Sequence, residues 1–387
     1  MYKMVILMKK NKAYKFRIYP NESQKELLAK TFGCSRLVFN YYLDKKQKLY
    51  EESKRIMSLT DCIKDLVNLK KEKEFLYEVD SISLQQSIRH LDTAFSNFFK
   101  NKEVGYPKFK SKKDHNYSYS TVNVNNNIKI IDNRHITLPK IGIIYSKIHR
   151  DIPSSYILKS STISKSSSGK YYISILFEYE ECVKEKEINK IVSLDYSQSN
   201  LYISSDKNLE TKQDYLRYYE KNIDRIKYLS RRLSNCKVGS NRYNKMRIKI
   251  NKLYEHISNK RKDFLNKESS LIAKKYDLVI IEDLNMLEMS QNKEYELSKR
   301  ISDNSWHMFT SMLKYKLEDK GGKLLKVDKY YPSSKLCSNC GHYNKDLTLS
   351  NRYWICPYCG LRHNRDKNAT YNLIKEGLRL LDLNPTI

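Results

Sequence analysis

Two cysteine pairs near the C-terminus constrain this chain more than any other feature. Cys337 and Cys340 form one C-x2-C and Cys356 and Cys359 a second, with fifteen residues between the pairs. That spacing suits a zinc ribbon, in which two tight turns each present two thiolates to one tetrahedral ion. Gly341 and Gly360 follow the pairs, where a knuckle turn needs a residue free to take positive φ. Rubredoxin-type iron uses the same ligands and is the alternative metal. Four thiolates leave no open coordination position, so zinc here would hold structure and not react. The other cysteines, Cys34, Cys62, Cys182 and Cys236, are scattered. They read as small buried hydrophobes in a reducing cytosol.

The chain has 387 residues, room for two or three domains. Its 73 Lys+Arg against 44 Asp+Glu give a formal charge of +29, which predicts a polyanionic partner. The 32 tyrosines among these lysines suit base stacking beside phosphate contacts. An AT-rich genome is the plainer source of the same Lys, Tyr, Asn and Ile excess. The apolar run Met4–Met8 is too short for a signal peptide and nothing reads as a membrane span, so a cytoplasmic protein is expected.

Along the chain, "YKFRIYPNESQ" reads as a strand, a turn at Pro20-Asn21 and a helix capped by Asn21 or Ser23. The pattern then stays helical to about Lys102, with apolar faces through Phe32, Val38, Phe39, Tyr42 and Leu43 and through Leu84, Ile88, Leu91, Phe95, Phe98 and Phe99. "GYPKFKSKKDH" breaks it. Short alternating runs between Tyr117 and Tyr179 predict a β-rich block, read as a small barrel completed by the N-terminal strand. Past the charged linker "EECVKEKEINK", "IVSLDYSQSNLYISSD" reads as two strands. Two helices follow, with Leu216, Tyr219, Ile223, Ile226 and Leu233 on one and Tyr243, Met246, Ile250, Leu253, Ile257 and Phe264 on the other. Gly239-Ser240 turns between them, so they form a hairpin. Lys212 to Lys267 holds 17 Lys+Arg against 5 Asp+Glu. That is either a solvated helical face or, given the single sign, a face along a nucleic-acid backbone. "YDLVIIEDL" reads as a buried parallel-type strand, "SDNSWHMFTSMLKYKLEDKGG" as a helix, "KLLKV" as a strand, and "RDKNATYNLIKEGLRLL" as a closing helix.

Three carboxylates stand out by position. Asp195 lies in the first strand of the second half, Glu282 ends a buried strand, and Asp366 opens the last helix. Taken singly, each reads as a cap or a surface ion pair. The order strand-Asp, strand-Glu, helix-Asp matches a ribonuclease H-like nuclease, whose two divalent ions need carboxylate ligands. Hard oxygens suit Mg²⁺, or Mn²⁺. Asp283 is the lesser candidate beside Glu282, because adjacent strand residues face opposite ways.

Nearly the whole chain resembles TnpB, the transposon-encoded RNA-guided nucleases related to type V CRISPR effectors. The resemblance is carried by "YKFRIYPNESQ", "FGCSRLVFNYYL", "LDTAFSNFFK", "GYPKFKSK", "LPKIG", "NKRKDFLNK", "IIEDLNM" and "YYPSSKLCSNCG…CPYCGLRHNRDKNATYN". The last stretch is the most specific, a ribbon just before an R-D-x-N-A helix. The resemblance implies an α+β multidomain fold: a wedge β-barrel with a helical recognition insert, then an RNase H-like (RuvC) domain with an embedded ribbon. The implied limits are 1–20 and 116–185 for the wedge, 21–115 for the insert and 186–387 for the nuclease, with the hairpin at 211–267 and the ribbon at 331–363.

The resemblance also assigns catalysis and Mg²⁺ ligation to Asp195, Glu282 and Asp366, and Zn²⁺ to the four cysteines. It implies a guide RNA from the transposon end, one protein per RNA, and a target double-stranded DNA carrying a short adjacent motif. Gln85, and more weakly Tyr50 and Asn125, align with motif-reading positions. The glycines usual around the first acid are absent, the stretch being Ser193-Leu194-Asp195-Tyr196-Ser197. Asn364 stands where many relatives carry another acid. No second, HNH-type nuclease is visible, so one site must cut both strands in turn. The competing functions are a type V effector with array-derived guides, a nuclease-independent RNA-guided repressor, and an accessory factor binding DNA without a guide.

Overall fold

The computed structural model describes residues 6–382 apart from 102, 184–185, 198, 210–217, 292–304 and 349. The chain divides into two compact units, Leu7–Glu181 and Cys182–Ile387, the second including Met1–Ile6.

The first unit begins with strand β1 (Ile6–Tyr19). Its alternation is clean: Tyr14, Phe16 and Ile18 are buried while Lys15 and Tyr19 are exposed. Asn21 then starts helix α1 (Glu22–Ser53) with a capping box to Gln24. Ser58 does the same through Asp61 for α2 (Leu59–Glu72). Asp80 caps α3 (Ser81–Lys100), accepting from the Ile82 and Ser83 amides, and is itself buried. Of the apolar faces read from the sequence, Val38, Phe39, Tyr42, Leu43, Leu84, Ile88 and Leu91 close into one core with Phe95 packed against it, whereas Phe32 packs with Tyr14, Phe16 and Ile18 of β1 and Phe99, at the end of α3, is exposed.

Six further strands follow: β2 (Tyr117–Val122), β3 (Lys129–Ile130), β4 (His135–Leu138), β5 (Gly142–Lys147), β6 (Ile157–Lys165) and β7 (Tyr171–Val183). They join β1 in a seven-stranded sheet of order β2-β6-β7-β1-β5-β4-β3. The N-terminal strand thus completes the sheet at its centre, as the sequence suggests. The expected closed barrel is not found: among the described residues the order runs open from β2 to β3. Alternation fixes which face is buried, but closure also demands matched strand tilt and stagger, which no periodicity encodes. The buried Asp80 accepts from Thr121 Oγ1 at 2.6 Å, tying the helical block to β2.

The second unit is built on a four-stranded sheet of order β11-β10-β8-β9, from β8 (Ile191–Ser197), β9 (Leu201–Ser204), β10 (Leu278–Glu282) and β11 (Lys323–Val327). β10 is parallel to both β8 and β11, and β9 is antiparallel to β8. The continuous apolar run of β10 fits a strand covered on both faces. Val192, Leu194, Val279 and Ile281 pack on one face with Leu265, Phe309 and Leu313 of the helices described next. Leu278 and Ile280 pack on the other face with Leu373 of the last helix.

The hairpin consists of α4 (Ile223–Ser234) and α5 (Asn241–Lys275), with Gly239 at φ +84° in the turn and Ser240 as N-cap. Leu216 lies outside the described residues. After the short α6 (Met286–Gln291) comes α7 (Trp306–Glu318). Ser305 precedes α7 without a side-chain cap, and Ser302 and Asp303 of the expected start lie outside the described residues. Lys316 of α7 donates to Asn266 O and Oδ1, Ser269 Oγ and Ser270 Oγ at 2.6–2.8 Å, clasping it to α5. Among the described residues no helix is long and apolar enough to cross a membrane.

The last helix, α8 (Arg365–Leu380), lies against the sheet through Gly377. A Cβ there would stand 2.5 Å from Ile280 Cδ1 and 2.9 Å from its Cγ1. Gly377→Ala should therefore push α8 off β10 and cost about 1–3 kcal/mol. Urea unfolding of the variant measures this, and an unchanged midpoint would show that the helix is not held this closely.

Candidate active site and metal centre

Period-two geometry decides which acids meet. The parallel register pairs Leu194 with Ile281, so Asp195 and Glu282 are the next residues along two neighbouring strands. Both point to the face opposite Leu194 and Ile281, the face that α8 covers. Both also lie toward the carboxyl ends of parallel strands, where open α/β sheets place their ligands. Asp283 points the other way and is exposed, its carboxylate 2.6 Å from Lys326 Nζ. It stays outside the cluster, as expected for the lesser candidate.

The third acid arrives from α8. Asn364, in the position where an acid was the commoner expectation, is the N-cap, and its Oδ1 accepts from the Lys367 amide at 3.0 Å. Asp366 follows in the first turn, where the helix dipole favours a carboxylate. Ser193, in place of a glycine, is buried, and its hydroxyl donates to the Thr370 carbonyl of α8 at 2.6 Å. Lys367 Nζ reaches Ser204 O at 2.6 Å. The helix is thus fastened to β8 and β9 on either side of the acids.

The electrostatics agree with convergence. Burial, then the charges of Glu282 and Asp366, push the Asp195 carboxyl up to about 8. Burial pushes Glu282 up to about 7. The counter-charges are two arginines. Arg365 Nε and Nη2 donate to Asp366 Oδ1 at 3.0 and 2.9 Å, and Arg352 Nη1 lies 3.4 Å from Oδ2. Among the described residues the four cysteines are the only group of three or more acids, cysteines or histidines with ligand atoms within 4.8 Å of one another, while the three acids are near enough for Glu282 and Asp366 to act on the charge of Asp195. Carboxylate oxygens are the hard donors that suit Mg²⁺ or Mn²⁺. Arg365 opens the R-D-x-N-A stretch, but Arg352 was not signalled by the sequence, because it comes from the ribbon and reaches Asp366 only in the folded chain.

The ribbon's ligands are assembled. The four Sγ atoms of Cys337, Cys340, Cys356 and Cys359 lie within 4.8 Å of one another. Cys337–Cys359 and Cys340–Cys356 are 3.6 Å apart. Zn–S bonds near 2.3 Å in a tetrahedron require about 3.8 Å, so the donor set fits zinc. The Leu361 amide hydrogen-bonds Cys359 and brings its thiol down to about 6, whereas at Cys340 the His342 amide is outweighed by burial and the neighbouring cysteines, which raise that thiol to about 12. Gly341 and Gly360 take φ +77° and +72° in the two knuckles, as predicted. A two-stranded sheet, β12 (Tyr353–Ile355) with β13 (Arg362–Asn364), spans the second knuckle and leads straight into α8.

Two features of this region were not legible beforehand. His363 is buried, with Nε2 3.0 Å from Cys337 Sγ and its ring 4.8 Å from that of Trp354. It can donate to the thiolate as an outer-shell partner. The asparagines Asn368 and Asn372 of α8 are also buried. Asn368 Nδ2 donates to Leu336 O at 2.6 Å and its Oδ1 accepts from the Ser338 amide at 2.8 Å. Asn372 Nδ2 donates to Ser333 O and Leu336 O at 2.8 and 2.6 Å. The asparagine of R-D-x-N-A therefore straps the first knuckle onto the helix carrying Asp366.

Of the motif-reading candidates, Gln85 is half-buried on α3, about a turn and a half past Asp80. Asn125 sits at φ +51° four residues beyond Thr121, the partner of Asp80. Tyr50 is exposed near the end of α1, under Lys54 Nζ at 5.0 Å. α1 and α3 run in the same direction, Lys30 meeting Glu78 and Lys46 meeting Asp92. Tyr50 therefore lies about 16 Å along the bundle from Gln85.

Comparison with known proteins now bears on this geometry. The Cas12f1-like, TNB domain model matches residues 306–373, and the OrfB_IS605 model, described as "Probable transposase", matches 174–293. A helix-turn-helix domain model of the same OrfB_IS605 group matches 8–55, although the structure there is one strand and one 32-residue helix. A protein of Streptomyces pristinaespiralis, provisionally named an RNA-guided DNA endonuclease, is 33% identical over 95% of this chain and 89% of its own length. InsQ of Escherichia coli K12, provisionally named in the same way, is 30% identical over 97% of this chain and 94% of its own. The TnpB-like protein L79 of Acanthamoeba polyphaga mimivirus is 23% identical over 94% and 73%. The Cas12f1 chain of a Cas12f1–sgRNA–target DNA complex shares the fold, with TM-score 0.56 and 14% identity over 94% of this chain and 98% of that one. The chain belongs to the TnpB family.

The raised carboxyls carry a pH dependence. A carboxyl raised in the folded state binds its proton more tightly there than in the unfolded chain. Its contribution to stability is full below the ordinary carboxylate range and is lost as pH rises through about 7 for Glu282 and about 8 for Asp195. Metal competes with the same protons. Mn²⁺ affinity, followed by electron paramagnetic resonance, should rise between about pH 6 and pH 9 and then level. Asp195→Asn should flatten the upper part of that curve, and a pH-independent affinity in the unaltered protein would contradict the assignment.

Proposed function

We propose that this chain is an RNA-guided DNA endonuclease of a transposon. Its guide RNA pairs with one DNA strand beside a short motif, and a single RuvC-type site hydrolyses both strands in turn. The observation that carries the reading is the convergence of Asp195 and Glu282, on one sheet face, with Asp366 of the helix packed on that face, in a chain aligned end to end with the endonuclease-named relatives. A repressor that had lost its nuclease would lack one of these acids, and here all three are present.

Asp195, Glu282 and Asp366 are the residues that would hold two divalent ions. Ions bound there supply activation of water and stabilisation of the leaving 3′ oxygen. The protein's own part is to position and to balance charge. Asp195, its carboxyl raised to about 8, and Glu282, raised to about 7, would give up their protons to cations held there. Arg365 and Arg352, which hydrogen-bond Asp366, would present a planar donor fork to a non-bridging phosphate oxygen. The ribbon, held by zinc and strapped through Asn368 and Asn372, fixes the first turn of α8 and with it Asp366. The wedge and recognition roles fall to the seven-stranded sheet and to α1–α3.

Sequencing of the RNA that copurifies with the protein tests the guide. A transcript ending at the transposon boundary supports the reading, and array-derived spacers would favour the CRISPR effector. For the catalytic assignment, Asp366→Ala should abolish Mg²⁺-dependent DNA cutting while guided DNA binding stays nearly intact. Undiminished cutting would remove Asp366 from the site.

Motif reading is assigned to Gln85, whose amide can bond adenine N6 and N7 together. Gln85→Ala should relax preference at one base by roughly 1–3 kcal/mol and leave RNA affinity unchanged. A randomised-motif cleavage screen checks this, and a profile identical to wild type would show that Gln85 does not read bases.

A further inference from the structure

In β1, burial accounts for Tyr14, Phe16 and Ile18. The opposite face carries Lys15, Arg17 and Tyr19, which burial does not explain. The register places Tyr19 across from Tyr145, Tyr145 across from His135, and Arg17 across from Lys147. The Tyr19 and Tyr145 ring centroids are 5.5 Å apart, and those of Tyr145 and His135 are 5.8 Å apart. On the other flank the Arg17 guanidinium lies 5.2 Å from both the Tyr19 and Tyr172 rings, and Lys15 Nζ lies 4.6 Å from Tyr172. One cation–aromatic row thus crosses β7, β1, β5 and β4.

Cross-strand pairing alone would bring such side chains together. It does not account for two further facts. Tyr19 and Tyr145 remain 46% and 47% exposed, and Arg17 Nη1 is shielded from solvent without a hydrogen-bond partner. Asp132, the carboxylate beside the row, is engaged by His135 at 2.9 Å. The acids of β7, Glu178, Glu180 and Glu181, lie about 20 Å or more beyond Tyr172 along that strand. The row is therefore cationic, and its rings are half open.

We propose that this row is a stacking platform for unpaired bases of the RNA component, with Arg17, Lys15 and Lys147 taking the adjoining phosphates. Sheet faces that present aromatic rings hold single-stranded RNA in this way, and stacking tolerates any base. RNA fits better than DNA, because a guide-bearing RNA brings unpaired segments to the protein from the start, while a DNA strand is unpaired only after the guide has opened the duplex. The proposal rests on the RNA-guided reading above.

The test uses the full-length protein with its copurified RNA. The double variant Tyr19→Ala/Tyr145→Ala should weaken RNA binding about tenfold per ring in a filter assay at fixed salt, while Tyr19→Phe/Tyr145→Phe stays within about twofold. Ultraviolet irradiation of the wild-type complex should crosslink RNA to Tyr19 or Tyr145, a readout that needs no variant to fold. The platform is overturned if the alanine pair, melting as wild type does, keeps its RNA affinity or loses only DNA binding by the assembled complex. It is equally overturned if crosslinks map solely to other surfaces. A wild-type protein that carries no RNA and makes no guided cut would instead overturn the functional reading itself.

Discussion

The packing of α8 onto the parallel strands β8 and β10 is the interaction on which the rest of the second unit depends. It buries Ile280 and Leu373 together, and it demands a glycine at 377 where the helix passes closest. It sets Asp366 beside two strand-end acids that already share a face. The cost is electrostatic. Burial raises the Asp195 and Glu282 carboxyls, and the charges of Glu282 and Asp366 raise Asp195 further. Arg365 and Arg352 offset part of that repulsion in the metal-free protein.

Such a site needs a rigid support, and the ribbon supplies it. The four cysteine sulfurs draw the two knuckles together; β13 runs from the second knuckle into α8; Asn368 and Asn372 bind the first knuckle to the same helix. A covalent path and a hydrogen-bonded path therefore connect the cysteine cluster to Asp366.

The first unit shows the same division of labour on a sheet. Inward residues of β1 and β7 build a core, and outward ones are free to carry binding groups. Because side chains alternate, one strand serves both ends without compromise. The seven strands do not close, so both faces and both edges of the sheet have to be covered by helix, solvent or partner.

The sequence by itself determined whatever depends on local spacing. The C-x2-C pairs, their glycines, the capping boxes and the period-two runs follow from short-range geometry, so ribbon, helices and strands were legible. So was the choice of Glu282 over Asp283, because strand alternation alone separates them. The three acids were legible as strand-end and helix-start positions, and resemblance then singled them out. Only the tertiary structure decided which groups meet across the chain. Arg352 on Asp366, His363 on Cys337, the asparagine strap, and the row from His135 to Tyr172 join residues far apart in sequence or on separate strands. Neither their residue types nor their spacing marks such contacts. The open edge of the first sheet belongs here as well, since closure depends on tilt and stagger summed over all seven strands.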